Sequence, residues 1–441
     1  MLKSPWFERC WILQEIAASR ECPEMLCGSQ RLSWSNFQEV IVWLNEPGRR
    51  HRTERMEFVN SIQEVIGRDT WDIGPKYAFS QLHVLLRLTS SFRSTDPRDK
   101  VFALLGLSSA GRDPENWPED LVPNYTRLVQ DVYAAAAKYC IRQTHSLSVL
   151  SQFVQDKTAR STSPHPYFPS WVPRWDLTDA TYRISAFSLH WDPDETRNLI
   201  EKFNKASRDT RVTMDQDAPW NILRVLGMRV DIVNISFPTV TLDGSKFHAG
   251  APERYEEHLS YLLPQLYDTC EKLLADPLNF HAFGRTFSLV IAAGLNSEHQ
   301  DIRHEAPGTY ESLINRSHAS AIGRGPLWDS RTRQYAAESR QRQPPVVARK
   351  GSYTKRYLDS LQRLMNRRLF ITSSGHLGLG PASMMSGDTV AILFGGNVPY
   401  ILRPLTNNQW HFVGECYVDG YMDGEAMKGR DSSRDEWFEI V

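Results

Sequence analysis

The sequence predicts an α+β chain: a mainly helical N-terminal and middle part, followed by a C-terminal antiparallel β module. Two observations predict it. Up to Ala293, large apolar side chains recur mostly at three- and four-residue spacing between capping residues, as amphipathic helices require. From Arg368 to Val418 the spacing shortens to alternation, and Gly375, Gly378, Gly387, Gly395, Gly396 and Asn407-Asn408 punctuate short β-branched and aromatic runs. A chain of 441 residues buries a large core and divides into two or three domains.

Residues 4–18 read as a helix. Ser4 caps the first turn, Pro5 sits where a missing N–H costs nothing, and no further proline or glycine occurs before Pro23. Trp6, Phe7, Cys10, Trp11, Leu13 and Ala17 form its apolar arc. Gln14 falls inside that arc and is expected to be buried and hydrogen-bonded. Glu8 and Glu15 share the opposite face.

Residues 25–28 make a short strand, and residues 34–44 a helix capped by Ser33 or Ser35. Met56, Val59, Ile62, Val65 and Ile66 recur at helical spacing up to Gly67. A leucine-faced helix at 81–91 leads into residues 95–107. There Thr95 or Asp96 caps, Pro97 takes the first helical position, and Asp99 favours the positive helix end. Gly106 is expected to supply a left-handed exit. Residues 125–145 read as a long helix, and residues 148–150 as the start of a strand. Trp171 and Trp175 then anchor a proline-rich loop by burying their rings.

Residues 183–190 and 211–214 have strand character. Residues 223–232 read as a strand with Gly227 as bend or bulge. Residues 255–275, interrupted at Pro264, and 283–293 read as helices. Residues 296–352, rich in Arg, Ser, Gln and Glu, predict a flexible surface insertion. Residues 353–367 return to helix. Strands are expected at 368–372, 389–394, 399–403 and 410–418, pairing with 223–232 in one sheet or small barrel. The organisation is therefore 1–110, 111–220, 221–295, 296–352 and 353–441.

The wording of several blocks is more specific than their pattern. W-F-x-R-x-W-x-x-Q-E-I-A at 6–17, carried by Trp6, Arg9, Trp11, Gln14 and Glu15, resembles the last block of the fungal heterokaryon-incompatibility (HET) domain. D-P-R-D-K-V-F-A-L-L-G-L, with Asp96, Arg98 and Asp99, resembles a block that follows that domain, and P-S-W-x-P-x-W, with Trp171 and Trp175, resembles a later one. G-D-T-V-A-I-L-F-G-G-N-V-P-Y-I-L-R-P and F-V-G-E-C-Y-V-D-G-Y-M-D-G-E-A resemble the small barrel-like module that closes many HET proteins. They contain Gly387, Asp388, Arg403, Gly414, Glu415, Gly424 and Glu425. The family's A-L-S-Y-x-W-G-like and W-I-D-x-x-C-I-N-Q-like blocks do not precede residue 6. The resemblance therefore implies the truncated remnant of a TIR-like HET domain, followed by its downstream region.

Composition excludes several function classes. The formal net charge of −1 gives no global field to attract nucleic acid. Six cysteines without a CxxC or a Cys/His cluster argue against zinc and fit a reducing cytoplasm. No run approaches the ~20 apolar residues that span a bilayer. Arg49-Arg50-His51-Arg52 reads as a solvated loop. No P-loop, kinase motif, ordered Ser-His-Asp set or G-x-G-x-x-G fingerprint occurs. Asp419, Asp423 and Glu425 lack the ligand order of a calcium loop and read as a solvated turn.

Two functional readings remain. The resemblance implies an interaction module in nonself recognition and programmed cell death, with protein partners and no cofactor. The alternative is a TIR-like NAD glycohydrolase, with NAD as substrate and Glu15 beside the developing oxocarbenium charge. That reading needs a walled nucleotide pocket, which the early strands of a TIR-like fold would supply, and the interaction reading is preferred. Asp96, Arg98 and Asp99 are either capping residues or an ion-pair latch onto the opening helix.

Overall fold

The computed structural model describes residues 4–17, 22–45, 81–108, 117–152, 168–177, 205–240, 280–293 and 361–441, with single positions at 19, 263, 266, 269, 270 and 273. The helix expected around 56–67, the strand at 183–190 and the insertion at 296–352 lie outside the described residues, as does most of the helices expected at 255–275 and 353–367.

The opening segment is not one helix. Ser4 caps as expected, its hydroxyl accepting from the Trp6 N–H at 3.3 Å, but Pro5–Glu8 is a short 3-10 turn and Arg9 is extended. The cause is a competing partner: the Arg93 N–H donates to the Glu8 carbonyl and the Cys10 N–H to the Arg93 carbonyl. Backbone bonds to a neighbouring segment replace those a continuous helix would make. Helix α1, Ile12–Ala17, then resumes. The break rotates the apolar arc. Phe7, Cys10, Ile12, Leu13 and Ile16 are buried, whereas Trp6 and Trp11 are only partly covered. Glu8, expected outside, is buried, and Gln14, expected inside, is half-buried.

Strands β1 (Glu24–Cys27) and β2 (Gln30–Ser33) form a hairpin across Gly28-Ser29. Gly28 has φ +62°, the conformation a two-residue hairpin turn demands. Ser33 then caps α2 (Trp34–Asn45), its Oγ accepting from the Asn36 N–H. Helices α3 (Leu82–Leu88) and α4 (Asp99–Leu105) follow, and α4 packs beside α1 in the main core. Gly106 does not turn left-handed, since its φ is −63°. Its missing side chain serves packing instead, because a Cβ there would stand 3.1 Å from Gln14 Nε2.

Helix α5 (Val129–Thr144) ends at His145 in the left-handed conformation. Residues 148–150, expected as strand, belong to a 3-10 turn, Ser148–Gln152. Every residue of that turn is buried, so its apolar composition reports burial rather than strand. Trp171 and Trp175 are fully covered, with their indole N–H groups donating at 3.1 Å to the Asn221 carbonyl and to Gln152 Oε1. Helix α6 (Phe280–Ile291) also packs into the main core.

The C-terminal strands form one sheet around the long strand β3, Leu223–Ser236. The others are β4 (Arg367–Thr372), β5 (Leu377–Pro381), β6 (Thr389–Leu393), β7 (Tyr400–Pro404), β8 (Gln409–Glu415), β9 (Tyr417–Val418) and β10 (Glu436–Ile440), in the order β10-β8-β7-β6-β3-β4-β5-β9. The start of β3 also bonds β10, so β3, β6, β7, β8 and β10 close a circuit. A second closure runs through the end of β3, which bonds β4, then through β5 to β9, which continues β8. Only the β10–β8 pairing is parallel.

Gly227 is not the bulge of β3. The register shifts lie between Arg229 and Asp231 and between Val233 and Ile235. Gly227 instead permits close approach of β6, since a Cβ there would sit 2.6 Å from the Ile392 carbonyl oxygen. The alternation is real but both faces are covered. Val233, Phe370, Val390, Ile401 and Val413 form one cluster. Their neighbours Leu369, Ile371, Ala391, Tyr400, Leu402 and Phe412 join the main core with the helices.

Candidate functional site

Glu15, the residue singled out for chemistry, lies on the exposed face of α1. Its Oε2 accepts from the Trp6 indole N–H at 3.0 Å, which staples the 3-10 turn to the helix across the break at Arg9. The structure thus brings Trp6 and Glu15 together, places the partly covered Trp11 and Gln14 at the edge of the core, and leaves Arg9 exposed. Glu8 is on a different side and pairs with Arg93 at 3.2 Å.

Asp96, Arg98 and Asp99 do not latch onto the opening helix. Asp96 accepts from the Arg98 backbone N–H and from its guanidinium, and the side-chain hydrogen bond from Arg98 holds the Asp96 carboxyl below its ordinary range. Arg98 also donates to the carbonyls of Tyr125 and Arg127. The Tyr125 hydroxyl donates to Asp99 at 2.6 Å, and burial together with this bond pushes its pKa up to about 12. The motif therefore fixes the approach to α5. One feature of the latch exists in another form: the buried Lys100 ammonium donates to the carbonyls of Ser90 and Phe92, holding the segment that pairs with Arg9.

The polar residues singled out in the β module are also fixed by contacts within it. Asp388 is buried and takes two hydrogen bonds from Arg403 at 2.8 and 2.9 Å, plus one from the Met385 N–H. Arg403 further donates to the Ser383 carbonyl, so the pair closes the loop between β5 and β6. Glu415 bonds Arg367 at 2.9 Å, with both side chains 6% exposed. Gly414 lies against the Pro381 ring, and Gly424, at φ +75°, leaves room for Arg208. Glu425 accepts from the Asp423 N–H. Asp231 was not singled out in the sequence. Burial raises its carboxyl, but hydrogen bonds from Thr372, Ile232, Tyr421 and Ser374 outweigh this and hold it below the ordinary value. Neither Arg367 nor Tyr421 carries a local signal, since each meets an acid far away along the chain.

Among the described residues no group of three or more His, Cys, Asp or Glu is placed to hold a metal ion. No described helix is long and apolar enough to cross a membrane. Burial raises the thiols of Cys10, Cys140, Cys270 and Cys416, the first to about 11, so these four are packing residues rather than nucleophiles. What the arrangement offers is a rigid barrel pinned by internal ion pairs, beside a helical layer with an exposed, tryptophan-tethered glutamate.

Residues 291–440 match the Het-6 beta-barrel domain family, which covers β4 to β10. The chain is also similar to heterokaryon incompatibility protein 6, OR allele, of Neurospora crassa, with 34% identity over 92 residues. That alignment covers 20% of this chain and 13% of the relative. No solved structure matches the chain.

Proposed function

We propose that this chain is a fungal nonself-recognition protein of the heterokaryon-incompatibility type, acting as an interaction module that triggers programmed cell death. The observation that carries this reading is the Het-6 barrel match over residues 291–440, supported by the similarity to an incompatibility protein. The barrel's physics fits a presenting scaffold. Its buried acids Asp388 and Glu415 are held by Arg403 and Arg367, contacts that fix the fold rather than face a substrate. In this reading the partners are proteins, the place of action is the cytoplasm, and no cofactor takes part. Glu15 is tied to Trp6 on an open helix face, and a lone exposed carboxylate lacks the preorganised, water-excluding surroundings that catalysis of nicotinamide release needs.

The test is expression of the chain in one of two otherwise compatible fungal strains, followed by scoring of viability after hyphal fusion. Death of fused compartments that depends on the chain and persists in Glu15→Ala supports the reading. Normal fusion in every pairing tried, with nicotinamide released from NAD by the purified parent but not by Glu15→Ala, replaces it with the hydrolase.

A further inference from the structure

Arg9 and Arg93 are partners in an isolated parallel bridge. Paired residues of adjacent extended segments, about 5 Å apart, carry their side chains on one side. Here that side is the outer one: Glu8, Cys10 and Phe92 are buried, while Arg9 and Arg93 are exposed. Arg93 keeps its side chain 77% exposed while reaching Glu8. The Arg9 guanidinium makes no ion pair or hydrogen bond with the described residues. Beneath the bridge, the Lys100 ammonium is bonded to the Ser90 and Phe92 carbonyls. Asp99, whose charge reaches Cys10, is turned to the Tyr125 hydroxyl. Three cations therefore adjoin the bridge; among the described residues Glu8 pairs with Arg93, and the Asp176 charge acts on Lys100.

Like charges placed opposite one another on paired strands destabilise the pairing. The backbone alone makes this bridge, so the fold does not require a second arginine at position 9. We propose that Arg9 and Arg93 form a binding site for a phosphate group. Guanidinium groups carried by two paired residues match the several oxygens of a phosphate, and the Arg9 charge has no ion pair with a described residue to offset it. The phosphate comes either from a free ion or from a phosphorylated residue of a protein partner. The site stands apart from the incompatibility reading and fails or survives independently of it.

The experiment is calorimetric titration of the full chain with inorganic phosphate and with a short phosphoserine peptide, each at low salt, beside the unphosphorylated peptide. The parent binds one or both phosphate probes and not the unphosphorylated peptide. Arg9→Gln weakens binding by roughly tenfold or more, the loss of one charge-assisted hydrogen bond. Arg9→Lys recovers part of it, and Arg434→Gln, in an exposed turn elsewhere, leaves it unchanged. Preference for the peptide assigns a phosphorylated partner, and preference for the ion assigns a free phosphate. Far-UV circular dichroism checks the fold, and Arg9→Gln is expected to melt at a higher temperature than the parent at low salt. No binding of either probe by the parent, equal binding by Arg9→Gln, or an unraised melting temperature in that variant overturns the proposal.

Discussion

Replacing Arg367 by methionine tests the barrel's internal ion pair most directly. Arg367 opens β4 and Glu415 ends β8, so the pair joins two strands that do not hydrogen-bond to each other as neighbours. One guanidinium nitrogen donates to Glu415 Oε1 at 2.9 Å and another to the Glu415 carbonyl at 3.2 Å. Burial disfavours the charged arginine, and the Glu415 charge offsets only part of this. Removing one member of such a pair costs about 3–5 kcal/mol, because the other charge stays buried without it. Arg367 and Glu415 each make further contacts, which places the cost near the lower end, about 3 kcal/mol. Glu415→Met should cost a similar amount. The double variant, which leaves neither charge, should fall within about 1–2 kcal/mol of the parent. Urea unfolding followed by tryptophan fluorescence gives the four free energies of the cycle. Single variants that each cost less than about 1 kcal/mol, or a double variant that costs their sum, refute the argument.

Trp171→Ala should cost about 3–5 kcal/mol, since the ring is fully covered and its indole bond to Asn221 is lost. Trp11→Ala should cost less than Leu13→Ala, because Trp11 is only partly covered and Leu13 is fully buried. Melting curves of the two variants decide the order. Gly227→Ala should cost about 1–3 kcal/mol by forcing β3 from β6, and a neutral variant would show that the strands separate freely. The buried His83 has its pKa lowered to about 4, first by burial and then by Arg87. Its folded value lies below its unfolded one, so its contribution of about 3 kcal/mol is complete above pH 6.5 and is lost as pH falls towards 4. His83→Gln should flatten the stability profile over that window, and superimposable slopes would exclude the effect.

Much of the local structure was legible before any coordinates. Ser4 and Ser33 cap because a hydroxyl ahead of a helix meets an unbonded N–H. Strands β6, β7 and β8 follow from alternation and from glycines at turns, and Trp171 and Trp175 are buried as their size demands. These signals act over a few residues and are written there. Most of the readings that changed depended on a distant partner. The opening helix breaks at Arg9 because Arg93 competes for its backbone. Gly106 and Gly227 are glycines because Gln14 and Ile392 come close, not because the chain turns. The Asp96 motif faces Tyr125 rather than α1. Local pattern by itself determines which residues make helices, strands and caps. Which side of an element is covered, which charges meet, and where a helix yields to a strand-like bridge are decided by backbone and side-chain groups far apart in sequence, whose encounter only the tertiary structure sets.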